Sequence, residues 1–77
     1  MTMYHVEIHT ADAVHVAHEV RASSGRAAAE KILLDHLPGY TFCWREYPAV
    51  TVPPGKRPFG GVYEKERQFV RAYAWTE

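Results

Sequence analysis

The sequence predicts a small two-layer α+β domain in ββαββ order, with a mostly antiparallel sheet and one helix packed on one face. Three observations carry this reading. Two alternating stretches flank the short linker "TADA", a run of good helix formers closes on Pro38–Gly39, and the second half is rich in β-branched and aromatic residues.

In residues 3–9, Tyr4, Val6 and Ile8 point one way and His5, Glu7 and His9 the other, the pattern of a half-buried strand. Residues 14–21 alternate again, with Val14, Val16, His18 and Val20 on one face. The two strands make a hairpin over 3–21. Opposed residues of an antiparallel pair share a face, so a two-residue turn at Ala11–Asp12 would mix the apolar and polar sides. The expected loop is therefore Ala11–Ala13. It sets Ile8 against Val16, Val6 against His18 and Tyr4 against Val20. On the other face it sets His9 against His15 and His5 against Glu19.

Residues 24–37 predict the helix. Ser23 or Ser24 can cap it, Gly25 is a poor but tolerated first-turn residue, and "RAAAEKILLDHL" is strongly helix-forming. Ala29, Ile32, Leu33, His36 and Leu37 fall near one face. The small Ala27–Ala29 turn lets the helix start approach the sheet closely.

Residues 40–47 predict a third strand, with Tyr40, Phe42 and Trp44 on one face and Thr41, Cys43, Arg45 and Tyr47 on the other. Pro48 argues for an edge position or a bulge. A Pro/Gly-rich loop is expected over 48–61. Within it "VPPGKRPFGG" has a stiff approach at Pro53–Pro54 and a return at Gly60–Gly61. It lacks the glycine spacing and the Ser/Thr of a phosphate-binding loop. Residues 62–66 fit a strand or a helical turn equally. The last strand is expected at 67–75. Its odd face carries Arg67, Phe69, Arg71, Tyr73 and Trp75, and its even face Gln68, Val70, Ala72 and Ala74. Either the small even face lies beneath the helix, or the aromatics are buried as the core.

A chain of 77 residues predicts one domain, 1–77. A domain of this size buries only about 60% of its unfolded surface, so a homodimer or an obligate partner is one reading of its length. The apolar fraction of 47% and charged fraction of 23% are those of an ordinary globular domain. Zero net charge argues against a strongly basic nucleic-acid binder and a polybasic membrane binder. The single cysteine, Cys43, excludes an intrachain disulfide and reads as a structural thiol in a reducing compartment. No signal-peptide pattern and no membrane-length apolar run is present, so the expectation is a cytoplasmic protein without a membrane partner.

No catalytic signature appears, and no cofactor is expected. The leading expectation is a non-catalytic binding or regulatory module that docks on another protein or on itself. Its contact residues would be Lys56, Arg57 and Phe59 at the loop tip, with Arg67, Arg71, Tyr73 and Trp75 beside them; Phe59 and Trp75 are the anchor type. The second reading uses the same basic and aromatic residues to bind nucleic acid. The third is a metal-binding hairpin. Five histidines in the chain is a high share, four of them in the first hairpin, and His5, Glu7, His9 and His15 are the ligand candidates. His18 is read instead as a core or rim histidine among valines, and His36 as a helix-end residue.

Overall fold

The computed structural model describes residues 1–47 and 50–77. It contains β1 (Thr2–His9), β2 (Val14–Ala22), α1 (Gly25–His36), β3 (Thr41–Arg45), β4 (Pro58–Lys65) and β5 (Gln68–Thr76). The strands form one sheet in the order β2-β1-β5-β4-β3, and every neighbouring pair is antiparallel. The expected α+β class holds, with one strand more than the sequence suggested. That strand is β4, which takes up the end of the supposed loop and all of 62–65. Gly60 and Gly61 do not serve as a return. They are buried inside β4, where a Cβ on Gly61 would fall 2.9 Å from the Phe59 ring and 3.2 Å from the Phe42 ring. The real turn of the proline-rich stretch lies earlier, where Lys56 N–H donates to the Pro53 carbonyl at 3.3 Å and Gly55 takes φ +80°. Pro48 lies outside the described residues.

Helix α1 starts as expected: Ser24 Oγ accepts from the Ala27 N–H at 3.1 Å. It ends with Leu37 N–H on the Leu33 carbonyl, and Lys65 Nζ donates to the Pro38 carbonyl at 3.1 Å. Its buried residues are Ala28, Ala29, Ile32 and Leu33. They pack on Tyr4, Val6 and Ile8 of β1, Val20 and Ala22 of β2, Phe59 and Tyr63 of β4, and Val70, Ala72 and Ala74 of β5. The even face of the last strand is thus the one beneath the helix.

The Tyr63 hydroxyl makes a polar contact at the edge of this layer. Tyr63 O–H donates to Glu30 Oε2 at 2.8 Å, and the same oxygen accepts from Arg26 Nε at 2.7 Å. Burial raises the Glu30 pKa, but the bonds from Arg26 and Tyr63 outweigh it and hold the carboxyl below 4.5. A carboxylate depressed in the fold adds stability above its ordinary value and loses it as pH falls through the folded value. The thermal midpoint of the wild type should therefore drop below about pH 4.5. Glu30→Gln should flatten that drop, which circular dichroism melts across pH 3 to 7 would measure.

The β1–β2 hairpin departs from its expected register. Thr10 N–H donates to the Ala13 carbonyl at 2.9 Å, so Ala11–Asp12 is a two-residue turn after all. Thr10 Oγ1 accepts from the N–H groups of both Asp12 and Ala13, which stabilises this turn without glycine. His9 then faces Val14, Ile8 faces His15 and Glu7 faces Val16. The resulting mismatch is absorbed by a β-bulge, where His18 and Glu19 together oppose His5. Glu19 takes the left-handed φ of +56° there. Beyond the bulge Tyr4 faces Val20, as expected.

The β4–β5 turn is also two residues long. Lys65 faces Gln68, and Glu66 and Arg67 take φ +50° and +66°. Both are the left-handed values of a type I′ turn, which favours Asn-Gly. Replacing Glu66–Arg67 by Asn-Gly should add about 1–2 kcal/mol, raising the thermal midpoint by roughly 4–8 °C per kcal/mol.

Candidate functional site

The face of the sheet opposite α1 collects most of the side chains with recognition chemistry. Its rows follow from the pairings. Val14, His9, Arg71, Val62 and Trp44 form one row across all five strands. Val16, Glu7, Tyr73 and Gly60 form the next, and His5, Trp75 and Pro58 the one after. Phe69 and Glu64 flank the first row on its other side.

This open face has a buried floor. Tyr73 is 1% exposed, Trp75 8% and Val62 1%, although no helix covers them. The histidines of β1 supply part of the cover. The His5 ring stacks on Trp75 with centroids 4.3 Å apart, and His9 meets Tyr73 edge-on at 5.0 Å. Glu7 holds both imidazoles, with Oε2 2.8 Å from His5 Nε2 and Oε1 2.9 Å from His9 Nε2. Burial pushes the Glu7 pKa up, yet the two histidine bonds prevail and keep it below the ordinary carboxylate value.

Around the floor stand apolar side chains that remain about half exposed: Val14 and Val16 on β2, Trp44 on β3 and Phe69 on β5. Trp44 and Phe69 touch, with ring centroids 6.1 Å apart. Trp44 reaches this face because Cys43 is the extra residue of a second bulge, between the Phe42–Tyr63 and Trp44–Val62 pairs. Phe42 and Trp44 were expected on one face; the bulge puts them on opposite ones. Between the apolar groups Arg71 Nε binds Glu46 Oε2 at 2.9 Å.

The residues expected to contact a partner are dispersed. Phe59 is not at a loop tip: it lies in β4, buried beneath α1 at 6% exposure, with the Arg45 guanidinium 5.5 Å from its ring centroid. Lys56 and Arg57 sit in the loop before β4, half-buried and exposed respectively. Arg67 is in the β4–β5 turn. Arg71, Tyr73 and Trp75 do share the open face, but the two aromatics form its floor.

Of the expected metal ligands, His5, Glu7 and His9 are joined by hydrogen bonds. His15 is not with them. Opposite Ile8, it faces the helix side and stacks on His36 with centroids 5.6 Å apart. His18 is not a core histidine either. The bulge turns it out beside His5, with the two Nδ1 atoms 3.1 Å apart and its side chain 68% exposed. The sequence reading missed His18, Glu77 and Glu46 as members of this face, because a bulge reverses strand alternation and Glu77 lay beyond the last expected strand.

Cys43 is exposed, and its thiol lies 3.6 Å from the Thr41 carbonyl. Among the described residues no helix is long and apolar enough to cross a membrane. No family model matches this chain, and neither a curated protein nor a solved structure matches it.

Proposed function

We propose that the chain is a non-catalytic binding module that pairs with a second copy of itself through the open face of its sheet. The observation that carries this is the half-exposed set Val14, Val16, Trp44 and Phe69 on the face without a helix. They form two groups, Val14 with Val16 on β2 and Trp44 with Phe69 across β3 and β5, on either side of His9 and Arg71; exposed apolar side chains sharing one face of a small domain mark an interaction site. A two-fold interface presses one patch against itself, so any charges in that patch must include both signs. They do here: Arg71 and the histidines stand among Glu7, Glu46 and Glu64. The small size of the domain supports the same reading, since further burial on association adds stability.

Nucleic acid fits this face less well. Arg71 is paired with Glu46, four carboxylates (Glu7, Glu46, Glu64 and Glu77) share the surface, and Tyr73 and Trp75 are too buried for base stacking.

Sedimentation equilibrium from micromolar to millimolar concentration tests the proposal. The wild type should shift from monomer toward dimer, and Val16→Lys or Phe69→Lys should remain monomeric while folded by circular dichroism. A wild type that stays monomeric throughout removes the self-pairing reading. Binding to DNA or RNA that falls steeply with salt would favour the nucleic-acid reading instead.

A further inference from the structure

The bulge in β2 does more than correct the register. It brings three potential ligands from positions 5, 18 and 77 to one point. His5 Nδ1 and His18 Nδ1 are 3.1 Å apart, and His18 Nδ1 is 3.4 Å from Glu77 Oε1. One ligand atom from each of the three lies within 4.8 Å of the others. We propose that His5, His18 and Glu77 form a three-ligand site for a divalent transition ion of the zinc type, with water in the fourth position.

The spacing fits the ion. Zinc–nitrogen and zinc–oxygen distances of about 2.0–2.2 Å place two ligands of a tetrahedron about 3.3 Å apart. The two short separations here match that edge, so a small inward movement of Glu77 completes the set.

The outer groups are also in place. An ionised carboxylate only accepts hydrogen bonds. Glu7 therefore takes the Nε2–H of His5, which in the neutral ring leaves the Nδ1 lone pair directed at His18. A carboxylate behind a ligating imidazole is the usual arrangement for fixing tautomer and ring orientation. Trp75 stacks on the same ring. Glu77 is anchored twice: its N–H donates to the Met3 carbonyl at 3.1 Å, and its Oε1 accepts from the Glu19 N–H at 3.0 Å. Glu19 makes that contact from its left-handed conformation, so the strained residue helps assemble the cluster.

This set differs from the strand-face triplet that alternation suggests. Glu7 has one oxygen on each of its histidine neighbours, so it supports the site from behind. His9 is bonded to Glu7 and is not one of the three clustered ligands.

The test is calorimetric titration of zinc chloride into the 77-residue chain carrying no added histidine tag, at monomeric concentration. A cobalt(II) titration followed by visible absorption runs in parallel. One ion per chain is expected, with the intense bands of four-coordinate cobalt. His18→Ala removes an exposed side chain and should keep the fold by circular dichroism while abolishing both signals. Glu77→Gln should weaken binding at least tenfold, and Glu7→Ala by about 10–100-fold. His36→Ala should bind as the wild type does. Zinc should also raise the thermal midpoint of the wild type and leave that of His18→Ala unchanged. No saturable zinc heat in the wild type overturns the proposal. So does undiminished binding in His18→Ala, or binding lost on His9→Ala alone.

Discussion

Tyr63→Ala should cost the chain a large share of its stability, about 3–5 kcal/mol. Tyr63 is among the largest fully buried side chains, lying under α1 and edge-on to Phe42 at 5.4 Å. Truncating an aromatic of this kind costs about 3–5 kcal/mol in lost transfer energy and residual cavity. A domain of this length is stable by only about 4–12 kcal/mol at typical per-residue values. The substitution also strips Glu30 of one of its two donors. Urea unfolding measures the loss, and Tyr63→Phe separates its parts. Phenylalanine keeps the ring and removes the hydroxyl, so it should cost only about 1.5–3 kcal/mol, the range for a hydrogen bond to a charged group. If alanine and phenylalanine cost the same, the ring is not the main contribution and this account of the core fails.

Gly25→Ala is the second large effect, and its sign decides between two arguments. Helix propensity alone favours alanine over glycine by about 1 kcal/mol. Packing opposes it. A Cβ at Gly25 would lie 2.9 Å from Phe59 Cβ, with the Tyr4 ring at 3.7 Å and Ala74 Cβ at 3.8 Å. Phe59 Cβ is fixed to the β4 backbone and cannot swing aside. The start of α1 must lift from the sheet, which also loosens Ala28 and Ala29 behind it. Overpacking of this kind costs about 1–3 kcal/mol, so a net loss of stability is expected, larger for Gly25→Val. A gain in the urea midpoint for Gly25→Ala would show that the helix start is free to move.

Which elements the sequence revealed follows from what each rests on. The first strand, the helix and its Ser24 cap depend on local pattern and local hydrogen bonds, and they were legible. Strand β4 was not, because "RPFGG" has the composition of a loop. Its glycines are there to let Phe59 and Phe42 close over the chain and to face Tyr73 across the sheet, a tertiary reason with no local signal. The Glu66–Arg67 turn hid for a similar reason, since neither residue advertises a left-handed conformation. The site suffered most from the bulges. Alternation places His18 with the valines and Phe42 with Trp44, and a single extra residue in each strand reverses both. The two readings of the last strand each held a part of the outcome. Its small residues do lie beneath the helix, yet Tyr73 and Trp75 are buried on the far side by neighbours that only the three-dimensional pairing supplies.

The same two bulges decide how the sheet meets other molecules at its borders. They lie in β2 and β3, the two outermost strands. Each interrupts the row of free N–H and C=O groups that an incoming strand would need for continuous pairing. A foreign strand could match only a few residues before losing register, so edge-to-edge growth into cross-β fibrils is disfavoured at both borders. Recognition is thereby left to side chains. Restoring one border, by deleting Cys43 so that β3 pairs without interruption, should produce a chain that forms thioflavin-positive aggregates under conditions where the wild type stays clear.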